Sequence, residues 1–203
     1  QDQRIAGCVY EIRAKTDIVT PDGTVRLHAG ELADTLVTET EKDAVSIPLY
    51  LGEYQVKEIS VGNNELILNP AVYDVTLSYQ DQLTPIITEH LDAYNDRPST
   101  ELLLEKQAEV YQPDDSSIKA VPGAGFTFGL FASEDIHGVG NALLRKGDLV
   151  TVGITQNDGH LIITNELPYG QYEFRELNVS PSYYPHDTTY PVDLSYPGSE
   201  VSK

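Results

Sequence analysis

Short alternating runs of Thr, Val, Ile, Tyr and Leu extend through the chain, and Gly, Pro, Asn or Asp interrupts them at intervals of roughly ten residues. Alternation with a period of two turns one set of side chains towards a core and the other towards water, so each run predicts a strand with one buried face. No stretch keeps the spacing of a long amphipathic helix. Many short strands separated by turn residues predict an all-β chain folded as antiparallel β-sandwich.

An internal repeat sets the expected number of sandwiches. Three blocks recur in order at an offset of 117 to 118 positions, as between Gly30 and Gly147 and between Gly52 and Gly170. Ala6-Gly7-Cys8-Val9-Tyr10-Glu11-Ile12 matches Ala124-Gly125-Phe126-Thr127-Phe128-Gly129-Leu130, and both blocks run on to an Asp-Ile, at Ile18 and Ile136. Gly52-Glu53-Tyr54-Gln55-Val56-Lys57-Glu58-Ile59 matches Gly170-Gln171-Tyr172-Glu173-Phe174-Arg175-Glu176-Leu177, and Tyr73 to Tyr79 matches Tyr190 to Tyr196. Chance similarity would not keep order and spacing over three blocks. Two tandem sandwiches are therefore predicted, residues 1–97 and 98–203, joined through the polar, proline-bearing Asn95-Asp96-Arg97-Pro98-Ser99-Thr100.

Composition changes the picture mainly by exclusion. With 40% hydrophobic and 22% charged residues, most of the 203-residue chain can bury a core. A formal net charge of −19 repels phosphate backbones and anionic membrane surfaces, so neither nucleic acid nor a membrane is an expected partner. Cys8 is the single cysteine, which leaves no intrachain disulfide and no thiol cluster for a metal. The five histidines (His28, His90, His137, His160 and His186) have no ligand spacing, no Ser-His-Asp or Cys-His arrangement is visible, and no cofactor is expected. Gln1 opens no charged, apolar leader and no run is long enough to span a bilayer, which reads as an interior stretch of a longer protein.

Four polar residues conflict with their strand pattern. Lys106 shares a face with Leu102, Leu104 and Ala108; Glu58 follows Tyr54 and Val56; Glu176 follows Tyr172 and Phe174; Asn95 follows Leu91 and Ala93. Taken singly, each reads more simply as a strand-end residue turning to water or a plain ion pair. Recurrence of the glutamate in both copies shifts that balance, because burying such groups without partners costs several kcal/mol. Lys, Glu and Asn are also the three types needed for one reaction. A lysine desolvated enough to shed its proton is a nucleophile, a buried glutamic acid can polarise a carboxamide, and attack expels ammonia to leave an amide cross-link. Such a bond forms once per domain without turnover, so no enzyme is expected.

The Gly-x-Tyr-x-Val/Phe-x-Glu strands, the Ala-Gly-x-x-Tyr/Phe openings, and the Asn-Asp-Arg connector leading into Leu102-Leu103-Leu104-Glu105-Lys106 resemble the collagen-adhesin B-type (Cna B, SpaA-like) domains of Gram-positive pilins and adhesins. The resemblance implies prealbumin-like (Ig-like) sandwiches with a lysine on the first strand, a glutamate on a central strand and an asparagine or aspartate on the last. Residues 1–97 then form a domain lacking its first strand, with Glu58 and Asn95 in its triad. Residues 98–203 form one lacking its last strand, with Lys106 and Glu176. Glu58 and Glu176 would promote the isopeptide bonds; the missing partners lie in flanking sequence or on a strand of a neighbouring subunit. Asp193 is a local alternative partner for Lys106. The implied role is a structural stalk at the cell surface, with neighbouring repeats or subunits as partners; direct binding of a host protein or glycan, or service as an accessory domain of a secreted enzyme, remain open.

Overall fold

The computed structural model describes residues 4–81, 83–84, 86–178, 183–184 and 187–196. The chain divides into two compact units, one running to Arg97 and the other beginning at Pro98. Among the described residues every regular element is a β-strand, and all strand pairs are antiparallel. Among the described residues no helix is long and apolar enough to cross a membrane.

The first unit is built on β1 (Val9–Ala14), β4 (Leu32–Val37), β5 (Gly52–Ser60) and β6 (Val72–Leu77), ordered β4-β1-β5-β6. A small ribbon of β2 (Ile18–Val19) and β3 (Val25–Leu27) stands beside them. Strand alternation puts Tyr10, Ile12 and Ala14 of β1 and Tyr54, Val56 and Glu58 of β5 on one buried face, with Tyr10 opposite Glu58 and Ile12 opposite Val56. Ile18 and Leu66 are buried in the same unit.

In the second unit the corresponding sheet contains β10 (Thr127–Ala132), β13 (Leu149–Ile154), β15 (Gly170–Asn178) and β16 (Thr189–Leu194), ordered β13-β10-β15-β16. Phe128 lies opposite Glu176 as Tyr10 lies opposite Glu58. The register slips fall at equivalent places, between Val9 and Tyr10 and between Thr127 and Phe128. Opposite this sheet runs a ladder of β7 (Thr100–Glu105) with β14 (His160–Asn165). Leu161 and Ile163 of β14, with Leu102 and Leu104 of β7, meet Phe128, Leu130, Tyr172 and Phe174 in one core. Two sheets sharing a core make the sandwich. Hairpin β8 (Gln107–Gln112) and β9 (Ser117–Pro122), and the short pair β11 (Ile136–His137) and β12 (Leu143–Leu144), complete the unit.

Details of chain entry repeat as well. The Tyr54 hydroxyl donates to Tyr50 O at 2.7 Å and the Tyr172 hydroxyl to Pro168 O at 2.6 Å, closing the loop that leads into β5 and β15. Gly170 starts β15 where a Cβ would stand 2.7 Å from Ile136 Cδ1, and Gly52 meets Ile18 Cδ1 at 2.4 Å in the same way, so the two glycines let equivalent isoleucines pack against the strand start. The units differ in their second layer. Among the described residues, none of 38–51 or 78–99 lies in a strand, so the first unit has no counterpart of the β7–β14 ladder.

Candidate functional site

Both glutamates point inward from the central strand of their sheet. Glu58 is fully buried, 0% exposed, and its Oε2 accepts from the Asn95 side-chain amide and from the Asn69 backbone N–H, each at 2.7 Å. Asn95 Nδ2 also donates to Ile67 O at 3.0 Å, and Asn69 Nδ2 donates to the Tyr73 hydroxyl and to Tyr94 O. Ile67 N–H bonds Asp96 O, so residues 94–96 are tied to 67–69 by several hydrogen bonds. Glu58 Oε1 is buried and has no hydrogen-bond partner.

Cys8 and Tyr10 border the same carboxyl. Burial, and then the charge of Glu58, push the Cys8 thiol up to about 11 and raise the Tyr10 phenol above its ordinary value. The reading of strand faces missed these two and Asn69. A signal for the first pair lay in the repeat, since Cys8 and Tyr10 stand where the second unit has Phe126 and Phe128. Asn69 lies in an aperiodic loop and left no such trace.

In the second unit the Glu176 side chain is 1% exposed and its Oε2 lies 2.9 Å from Lys106 Nζ, whose side chain is 18% exposed. The ammonium also lies 4.9 Å from the centre of the Phe126 ring, a cation–π distance. Lys106 sits in the break between β7 and β8, held by its N–H to Gly159 O and by the Gly123 N–H to its own carbonyl, each at 2.8 Å. Two glycines make the space: a Cβ on Gly123 would stand 2.6 Å from Lys106 Cγ, and one on Gly159, at φ +82°, 2.5 Å from Lys106 O. Glu176 Oε1 is buried without a partner, and a recess of about 150 Å³ is lined by Arg175, Glu176, Asp187, Thr188 and Thr189.

Asn95 is thus brought to Glu58, and Lys106 to Glu176, each pair within its own unit. The expected strand around Asn95 is absent: residues 91–95 make no ladder because no strand lies alongside them, and loop hydrogen bonds hold the side chain instead. Asp193 does not meet Lys106; its carboxylate accepts from the Gln171 side chain and the Ser195 N–H. Of the aromatic residues near the end of the chain, Tyr183 packs on Phe126 and Tyr190 edges Phe128. Among the described residues no group of three His, Cys, Asp or Glu side chains is placed to hold a metal; His186 lies outside the described residues.

Each unit therefore sets one polar side chain on a buried glutamate, the Asn95 carboxamide on Glu58 and the Lys106 amine on Glu176. No protein-family model and no curated protein matches the sequence. Among solved structures, the Bacillus anthracis TIE protein superposes with a TM-score of 0.56 at 16% identity, over 94% of this chain and 28% of that one. The chain shares its fold. It spans little more than a quarter of the TIE protein's length. Gram-positive pilins are also structural neighbours, at lower TM-scores. GBS52, the minor pilin of Streptococcus agalactiae, has a TM-score of 0.36 at 18% identity, with 100% of this chain and 89% of that one covered. The shaft pilin spaA of Lactobacillus rhamnosus GG has 0.38 at 14%, with 95% and 86% covered.

Proposed function

We propose that this chain is part of the stalk or shaft of a Gram-positive surface protein or pilus, acting as a covalently braced spacer and not as an enzyme. In this reading residues 1–97 are a Cna B-type sandwich completed by a first strand, and residues 98–203 one completed by a last strand. Both strands come from outside the chain. The observation that carries the proposal is the pair of equivalent buried glutamates, each holding a different reactant: the carboxamide of Asn95 on Glu58 and the amine of Lys106 on Glu176.

The chemistry follows from the groups present. A lysine Nζ attacks the asparagine Cγ, the Nζ–Cγ bond forms, the Cγ–Nδ2 bond breaks, and ammonia leaves while the glutamate carboxyl relays protons between the two nitrogens. A bond between the first and last strands carries tension through covalent links, so pulling the ends does not shear the sheet. It also restricts the unfolded chain, much as a disulfide closing a loop of about 100 residues contributes about 4–5 kcal/mol.

The deciding experiment is the intact mass of a longer chain that includes the flanking strands on both sides. Each bond removes one ammonia, about 17 Da, and a tryptic digest yields one branched peptide containing Asn95 and another containing Lys106. Glu58→Ala and Glu176→Ala each restore the lost mass in their own unit. Flanked domains that keep their full mass would rule out this reading.

A further inference from the structure

An antiparallel sheet with one face in the core ordinarily turns polar residues to water on the other. The second unit departs from that pattern on β10, β13 and β15. Register sets Leu149 opposite Phe131, Val152 opposite Gly129 and Ile154 opposite Thr127, all on the face turned away from the core that takes Phe128 and Leu130. A Cβ on Gly129 would stand 2.7 Å from Phe131 Cε2, 3.0 Å from Leu149 Cδ1 and 3.1 Å from Leu177 Cδ1, so these three side chains converge over the glycine. Leu149, Val152, Ile154 and Leu177 are each between 46% and 53% exposed, and Phe131 is half-buried among them. Together they make on the order of 400 Å² of contiguous apolar surface, within the range of patches that serve as interaction sites.

The fold does not require such a face. By the repeat, Glu11, Arg13 and Thr35 of the first unit stand where the second has Gly129, Phe131 and Val152. There Arg13 Nε donates to Glu11 Oε2 at 2.8 Å, and the centre of the face is charged. Charge indicates what covers the apolar version. The chain carries −19, yet the outward residues of β10, β13 and β15 include one acid, Glu173. Arg175 pairs with it while its guanidinium lies 4.5 Å from the centre of the Phe131 ring. Copies of the same charge therefore approach with least repulsion at this face. The natural complement of a twisted sheet face is another one, packed about 10 Å away.

We propose that this face joins two copies of the chain, the Phe131, Leu149 and Leu177 cluster of one lying against that of the other across a two-fold axis. The two-fold uses the same patch on both sides and closes with two copies. With its rim the contact buries about 1,000 Å² in all, at the lower limit for a specific interface, so the dimer is weak and reversible, with a Kd on the order of 100 μM. The association uses the outer face alone and is independent of any covalent bond in the core.

Sedimentation velocity on the 203-residue chain, from about 10 μM to about 1 mM, should show a reversible monomer–dimer equilibrium. It should tighten about threefold or more between about 0.05 M and about 0.5 M salt, because salt screens the repulsion of two chains of −19 and leaves apolar contact intact. Val152→Lys should abolish the dimer although it lowers the net negative charge, whereas Thr35→Lys, at the equivalent place in the first unit, should leave it unchanged. Gly129→Glu combined with Phe131→Arg, which copies the Glu11 and Arg13 pair of the first unit, is a second disruption on a backbone that already accommodates it. Circular dichroism verifies that each variant is folded. A chain that stays monomeric at every concentration and salt leaves the face to a different partner and overturns the proposal. So does a dimer that weakens with salt, that survives Val152→Lys and the double variant, or that is lost equally with Thr35→Lys.

Discussion

Lys106 Nζ lies 2.9 Å from Glu176 Oε2 inside the second unit, an ion pair whose acid is almost wholly withdrawn from water. Such a pair is held by mutual need, because removing either member leaves the other charge in a poorly solvating place. Glu176→Ala should therefore destabilise the second unit by about 2–3 kcal/mol, while Lys106→Met combined with Glu176→Leu recovers most of the loss. Urea unfolding of the two variants makes the comparison. Equal stability of Glu176→Ala and the parent would mean that water already solvates the ammonium.

Gly123 and Gly159 set the position of that lysine. Gly123→Ala places a methyl group 2.6 Å from Lys106 Cγ, and Gly159→Ala adds both a clash with Lys106 O and a left-handed backbone that alanine disfavours. Each is expected to cost about 1–3 kcal/mol. Gly125→Ala is the useful contrast: its φ is +78° but a Cβ there meets nothing, so it carries the backbone penalty alone. Thermal unfolding of the three variants separates crowding from backbone strain.

The paired tyrosine locks offer a symmetric test. Tyr54→Phe and Tyr172→Phe each remove one hydroxyl that donates to a backbone carbonyl, and each should cost about 1 kcal/mol in its own unit. Burial pushes the Tyr172 phenol up to about 12, so its ultraviolet ionisation step should appear well above that of an exposed tyrosine and fall back on unfolding.

Cys8 links stability to alkaline pH. Its thiol is raised from 9.0 to about 11 by burial and by the neighbouring Glu58 charge, so the folded state holds a proton that the unfolded chain releases first. Its stabilising contribution is fully present below pH 9 and is lost between pH 9 and about 11, at up to about 1.4 kcal/mol per pH unit. Tyr10, raised for the same reasons, prolongs the loss to higher pH. Denaturant midpoints at pH 8, 9 and 10 should fall more steeply for the parent than for Cys8→Ala. Thiol reagents at pH 8 should label the chain only after unfolding.

Much was legible along the chain because strand periodicity and repetition are local properties of sequence. Alternation of Tyr54, Val56 and Glu58, and of Tyr172, Phe174 and Glu176, is enough to put both glutamates on inward faces. The recurring blocks correspond to the same strand order and the same register slips in the two units. Periodicity says which side of a strand a residue takes, but not what waits across the core. That Glu58 meets Asn95 and the Asn69 backbone, and that Lys106 needs two glycines to reach Glu176, depend on aperiodic segments returning over a sheet, while Tyr10 comes to Glu58 through the register between β1 and β5. Asn95 shows the limit most clearly. Its alternating neighbours Leu91 and Ala93 read as a strand, yet a strand exists only where another offers its backbone groups, and that offer is made in three dimensions.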